Sequence, residues 1–135
     1  MTDTAPFTRQ MEAAVEAAAA AADLTTVVGE APFAGTVTAV KYVPKANITG
    51  ANTESRTVSL INKGQDGNGT TVVATLAMTS GVNSNDFDEK TIVLSSTAAD
   101  LVVAAGDVLA WTSVHVGSTG LADPGGMVRV TLSRS

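Results

Sequence analysis

Apolar and polar residues alternate along most of the chain after residue 23, and this two-residue spacing predicts β-strands. Stretches rich in Gly, Pro, Asn and Asp separate the strands, and residues 63–69 (KGQDGNG) give the strongest signal for a hairpin turn. We therefore expect an all-β antiparallel sandwich or jelly-roll-like domain of about seven or eight strands. The main predicted strands are 24–29, 33–43, 56–62, 70–79, 90–95, 108–116 and 127–133.

The N-terminal segment has a different pattern, because its apolar positions recur at a spacing close to 3.6 residues. Eight of the ten residues 13–22 are Ala, which has the highest helix propensity, and Thr8 is a suitable N-cap. These features predict a helix over about residues 8–22. We expect it to belong to an N-terminal arm, residues 1–32, that precedes a β-sandwich domain, residues 33–135.

The predicted helix has an apolar stripe made largely of methyl groups, which bury little area but allow a close approach. Two interpretations stay open: the helix packs on its own domain, or it reaches a neighbouring subunit or another partner. Under the second interpretation, the candidate partner-contact residues are Phe7, Arg9, Met11, Val15 and Leu24.

The stretch 101–117 (LVVAAGDVLAWTSVHVG) contains the only Trp and the only His of the chain. Trp111 lies in the middle of a long predicted strand, so we expect it to anchor the core or a trimer interface. If Trp111 and Tyr42 were both exposed, they could instead form a platform for a sugar. That alternative is a carbohydrate- or receptor-binding jelly-roll module.

The predicted strand 70–79 indicates how the two faces of its sheet differ. Val72, Ala74, Leu76 and Met78 should point inward, and the residues between them should point outward. The outer face is then expected to carry Val73, Ala77, Val93 and Val114 among Thr and Ser. That is more apolar surface than a monomer needs, and oligomerisation would cover it.

The residues needed for catalysis or metal binding are sparse. A Ser-His-carboxylate set would have to use His115, no Ser lies in a nucleophile-elbow context, and the chain has no Cys for a zinc site. The acidic run at 85–89 lacks the spacing of a calcium loop, and we interpret it as a solvated loop with Phe87 as a hydrophobic plug. We expect no enzyme, cofactor or metal site; a small hydrolase using Glu89 or His115 is a minor alternative.

Charge and hydropathy restrict the partners further. The first 32 residues contain five acidic side chains and one basic one, so they carry most of the formal net charge of −5. Phosphate backbones are bound by clustered Lys and Arg, and the sequence offers no such cluster. It also has no long apolar run and no basic, Leu-rich leader. We therefore expect neither direct nucleic-acid binding nor membrane association.

The segments from residue 32 to 134 resemble the small β-sandwich decoration, or cement, proteins of tailed-phage capsids. The resemblance rests on the order of the strands and on two turn motifs, G-D-V-L-x-W at 106–111 and D-P-G-G at 123–126. It implies a homotrimer that binds the major capsid protein on the outer surface of a phage head and braces neighbouring capsomers. The Ala-rich segment is not part of the resemblance. Under the alternative, the resemblance to phage proteins implies a carbohydrate- or receptor-binding jelly-roll module of a phage fibre.

Overall fold

The computed structural model describes residues 7–134, which form ten β-strands and one short 3₁₀ helix. The strands are β1 (Thr8–Val15), β2 (Leu24–Glu30), β3 (Gly35–Pro44), β4 (Ser55–Asn62), β5 (Thr71–Ala77), β6 (Lys90–Thr91), β7 (Val93–Leu94), β8 (Val102–Val103), β9 (Val108–Val116) and β10 (Gly126–Arg134), with the 3₁₀ helix at Ala98–Leu101 between β7 and β8.

The strands form two antiparallel sheets that pack face to face. The first sheet has the order β1-β10-β3-β6, and β8 also pairs with β3. The second sheet has the order β2-β9-β4-β5-β7. Trp111 of β9 and Tyr42 of β3 meet between the sheets, with ring centroids 5.4 Å apart, and neither side chain is exposed. Of the residues predicted to form an N-terminal arm, β1 belongs to the first sheet and β2 to the second.

The all-β prediction is confirmed, and the long strands lie close to their predicted bounds. The strand count is higher than expected for three reasons. The predicted strand 90–95 divides into β6 and β7, which belong to different sheets, and both β1 and the two-residue β8 are strands that the sequence did not predict. The residue between β6 and β7, Ile92, is buried, so the chain crosses the core as it passes from one sheet to the other.

The predicted helix at 8–22 is wrong. Residues 8–15 form β1, which pairs with β10 over eight consecutive positions, from Thr8 opposite Ser133 to Val15 opposite Gly126. The apolar residues of this segment also fit a period of two, because Met11, Ala13 and Val15 point towards the core while Glu12 and Ala14 are exposed. An isolated helix of about 15 residues is marginal in water, so tertiary pairing with β10 outweighs the high helix propensity of Ala.

Residues 16–23, which connect β1 to β2, are held away from helical geometry by distant side chains. The guanidinium of Arg56 donates hydrogen bonds to the carbonyls of Ala19, Ala20 and Ala22, at 3.0, 3.2 and 2.9 Å. Ala18 and Asp123 exchange two backbone hydrogen bonds of 2.8 and 2.9 Å. These carbonyls therefore have partners outside their own segment, and an α-helix would have to give those partners up.

A buried polar network connects the two sheets beside the Tyr42–Trp111 contact. The Asp123 carboxylate accepts hydrogen bonds from the Tyr42 hydroxyl at 2.5 Å and from the Ser113 hydroxyl at 2.7 Å. Ser113 in turn accepts a hydrogen bond from Arg56 at 3.0 Å, and Gly125 N–H caps Asp123 at 2.9 Å. Burial, together with the hydrogen bond to Asp123, raises the pKa of Tyr42 far above its usual range. The network therefore connects the two sheets to each other and to the D-P-G-G turn.

Candidate interaction surface

The outer face of the second sheet consists mainly of uncharged side chains, with the exposed Glu30 opposite Val108 at one end. One row runs straight across four strands, because Val72 lies opposite Ile61, Ile61 opposite Ala110 and Ala110 opposite Val27. The next row is made of hydroxyl side chains. We call this surface the neutral face and define it by the outward residues Thr25, Val27, Thr57, Ser59, Ile61, Val72, Thr75, Ala77, Val93, Ala110, Thr112 and Val114.

The neutral face is accessible in the single chain. Val27 is 65% exposed, Val93 is 59% exposed and Val114 is 40% exposed. Two of its hydroxyl groups are hydrogen-bonded to each other, since Ser59 Oγ lies 2.7 Å from Thr75 Oγ1. Internal pairing lowers the cost of removing these hydroxyls from water, so the face is suited to contact with another apolar or neutral surface.

A shallow groove extends the neutral face at the β5 edge, where the two-residue β7 covers only part of the strand. The groove is lined by valine and leucine side chains on one side and by polar residues of the following turn on the other. Its lining residues are Val72, Ala74, Thr75, Val93, Leu94, Ser95, Ser96 and Asp100.

The outer face of the first sheet carries a cluster of charged side chains. Glu12, Arg129 and Lys41 lie side by side on β1, β10 and β3. The Glu89 carboxylate pairs with Arg129 and lies 3.7 Å from Lys41 Nζ. Exposed ion pairs of this kind are well solvated and contribute little to stability. Charged side chains are therefore grouped on the outer face of the first sheet, whereas the residues that define the neutral face are all uncharged.

The predicted outer face of the second sheet is only partly right. Ala77, Val93 and Val114 lie on it, but Val73 is fully buried. The register between β4 and β5 shifts between Leu60 and Ile61, so Val72 and Ala74 no longer follow a simple alternation and Val72 faces outward. A bulge places one extra residue in one strand, and the sequence carries no clear signal for it here.

The candidate partner-contact residues of the N-terminal segment occupy different environments. Phe7 is partly exposed, packs edge-on against Phe33 with ring centroids 5.4 Å apart, and lies under the Arg134 guanidinium. Arg9 is exposed at the edge of the first sheet. The remaining three residues pack against the core: Met11 and Leu24 are partly buried, and Val15 is buried.

Trp111 is fully buried, between β2 and β4 in the sheet and against Tyr42 across the core. Neither ring of the Trp111–Tyr42 pair is therefore available as a sugar platform. Phe87 differs from its expected role as a plug: its side chain is 76% exposed and its φ is +57°. The backbone of Phe87 is fixed by a hydrogen bond of 2.8 Å from its N–H to the Pro44 carbonyl.

The residues considered for hydrolysis each have a separate partner. His115 Nδ1 lies 2.6 Å from an oxygen of Asp23, and the hydrogen bond with His115 lowers the pKa of Asp23. Glu89 pairs with Arg129 on the other sheet. Among residues 7–134 we find no cluster of three or more His, Asp or Glu side chains arranged to hold a metal ion. Within the same residues, no helix has the length and hydropathy needed to span a membrane.

Comparison with known proteins does not identify a family for this chain. No family model and no curated protein matches the chain. One chain from the solved structure described as "Structure of infectious bursal disease virus Gx strain" aligns with a TM-score of 0.46 and 13% sequence identity. The alignment covers 96% of this chain and 32% of that chain, so this chain spans about a third of the other's length. We draw no function from a likeness of that size.

Proposed function

We propose that this protein is a capsid decoration protein that binds the exterior of a phage head and stabilises contacts between capsomers. The observation that carries the proposal is the neutral face, which has four exposed valines, Val27, Val72, Val93 and Val114, and one hydrogen-bonded pair of hydroxyls on the outer side of the second sheet. Charged residues are depleted at the core of protein–protein interfaces, so the uncharged face is the side of the sandwich best suited to bind a shell.

The neutral face fits a flat protein partner better than a small ligand. Its side chains stand on the regular surface of a sheet, and Val27 and Val114 project from it without enclosing a deep cavity. We infer that the major capsid protein, together with other copies in a homotrimer, covers this surface. The protein would then be located on the outside of the virion and would act by binding, without catalysis, cofactor or nucleic acid.

The carbohydrate-binding alternative has no observation in its favour. It requires Trp111 and Tyr42 to be exposed together, and both side chains are fully buried. Exposing them would open the contact between the two sheets.

A lysine placed on the neutral face tests the proposal. Val27→Lys and Val114→Lys put an ammonium group into a surface that has no carboxylate among its residues, so binding would bury an unpaired charge. We expect each variant to co-sediment with empty heads of the same phage with at least about tenfold lower affinity, equivalent to about 1.4 kcal/mol. Circular dichroism should show that the folds are unchanged.

Val102→Lys is the matched control. Val102 is 56% exposed, comparable to the neutral-face valines, but it lies on β8 in the first sheet. We expect this variant to bind like the original protein. Wild-type affinity in Val27→Lys and Val114→Lys would overturn the proposed role of the neutral face.

A further inference from the structure

β1 occupies the edge of the first sheet, with β10 as its only partner strand in that sheet among the described residues. Five of its eight side chains are exposed, and Val15 alone is buried. At the other end, Phe7 is partly exposed and rests against Phe33 and Arg134. Most of the contact between β1 and the rest of the molecule is therefore its ladder of backbone pairs with β10.

The local sequence of β1 opposes its strand conformation. Residues 10–15 (QMEAAV) include Gln, Met, Glu and two Ala, all strong helix formers, and Ala and Glu are depleted in strands. Such conflict between local preference and tertiary structure marks a segment whose native conformation depends on its partner. The strand conformation of β1 therefore depends on its pairing with β10.

The attachment of the chain changes sharply after β1. The segment from Ala18 to Asp23 is fastened to the body by the Ala18–Asp123 backbone pair, by Arg56 and by the Asp23–His115 contact. Glu16 and Ala17, between Val15 and Ala18, are exposed and belong to no strand. These two residues form a junction at which β1 can change direction while the segment after it stays in place.

The edge that receives β1 is specific for it. Glu12 lies opposite Arg129 in the register, so an acidic and a basic side chain oppose each other across the strands. Val15 lies opposite Gly126, and a Cβ added at the neighbouring Gly125 would approach the Val15 carbonyl to 2.6 Å. The register thus places the acidic Glu12 beside a basic strand residue, and the close approach at Gly125 fixes where the incoming strand ends.

We propose that the β10 edge is a strand-docking site that the β1 of a second copy of this chain occupies, so that assembled copies exchange their first strands. Each exchanged strand makes the same eight residue pairs with β10 as in the single chain, with Glu12 opposite Arg129 among them. The exchange therefore costs only a change at the Glu16–Ala17 junction, and it ties copies together without a new interface.

Disulfide trapping tests the exchange, and the chain contains no Cys that would interfere. Gln10 and Thr131 lie opposite each other in the β1–β10 register. A Gln10→Cys chain and a Thr131→Cys chain, distinguished by mass tags, are mixed, unfolded in urea, refolded together and oxidised. If strands exchange, the mixed disulfide forms; if β1 pairs only within its own chain, the two thiols never meet in a ladder.

The matched control mixes Gln10→Cys with Thr25→Cys, an exposed position on the second sheet. We expect the Gln10–Thr131 disulfide to exceed this control at least about tenfold. Equal yields would overturn the proposal. In a chain with both Gln10→Cys and Thr131→Cys, covalent dimers or trimers support exchange, and monomers alone contradict it. Failure here leaves the lysine test of the neutral face unaffected, since that test does not involve β1.

Discussion

Arg56 is a fully buried arginine, and its hydrogen bonds connect three parts of the chain. Besides the three carbonyls of the β1–β2 connection and the Ser113 hydroxyl, it donates to the Leu121 carbonyl at 2.6 Å. A planar guanidinium with five donors can reach all of these acceptors at once, whereas a lysine ammonium has only three donors. Arg56 therefore determines the path of two loops that are far apart in sequence.

Replacing this side chain should be strongly destabilising. Arg56→Ala leaves several buried carbonyls without donors and opens a cavity, and we expect a loss of about 3–5 kcal/mol in the free energy of unfolding. Urea denaturation followed by Trp111 fluorescence measures it. Arg56→Lys should recover only part of the loss, and a loss below about 1 kcal/mol in Arg56→Ala would contradict the role of Arg56 as an organiser of the loops.

Glu54 organises the loop after β9 in a similar way at the surface. Its carboxylate accepts hydrogen bonds from the N–H groups of Gly120 at 2.6 Å and Thr119 at 2.8 Å, and from the Ser118 hydroxyl at 3.1 Å. The bonds from Gly120 and Thr119 are the main reason that the pKa of Glu54 lies below its ordinary value of 4.5.

This lowered pKa predicts an acid dependence of stability. The unfolded chain takes up the Glu54 proton at a higher pH than the folded chain, so the contribution is complete above about pH 4.5 and is lost as the pH falls through the lowered folded pKa. The stability difference between the original protein and Glu54→Gln, measured in urea, should therefore be largest at neutral pH and shrink below pH 4.5. A difference that stays constant down to pH 3 would rule out this linkage.

At the scale of single elements, the long strands were predictable because alternation and turn residues act locally. β4, β9 and β10 lie within one residue of their predicted bounds. The first strand was not predictable, because its sequence favours a helix and its conformation is decided by β10 and Arg56, which are distant in the sequence. The division between β6 and β7 was missed for a related reason, since only the packing of two sheets requires the crossing at Ile92.

The competing preference of the first segment can be measured apart from the protein. We expect a peptide of residues 8–22 to show partial helicity by circular dichroism in cold water, and more in trifluoroethanol, although the same residues include a strand in the intact protein. A control peptide with Ala17→Gly and Ala20→Gly should lose that signal, because each Gly costs about 1 kcal/mol in a helix interior. A β-type spectrum from the first peptide would show that the strand is a local preference.

For the molecule as a whole, the difference between its two outer faces is the feature that sequence reasoning reached only partly. The alternation placed Val93 and Val114 outside, but Val27, Ile61 and Val72 join them only through the cross-strand register. Register between distant strands, and the bulge in β4–β5, depend on long-range pairing. A row of side chains from four strands is therefore visible only in the folded molecule.

The shared core predicts cooperative unfolding. Trp111 and Tyr42 join the sheets, and the Asp123 network binds both of them to the loops. We expect the transition seen by Trp111 fluorescence to coincide with that seen by far-ultraviolet circular dichroism, as in other small two-state domains. Separate midpoints would mean that one sheet unfolds before the other.

The two ends of the described chain lie next to each other, since the Arg134 amide donates a hydrogen bond of 2.8 Å to the Phe7 carbonyl. A short loop between these residues would turn β10 and β1 into a hairpin, and the exposed turn at 63–69 would then supply new termini. Such a circular permutant keeps every strand pair but tethers β1 to its own β10. Comparing this permutant with the original protein would distinguish the properties of the single sandwich from those that require several copies of the chain.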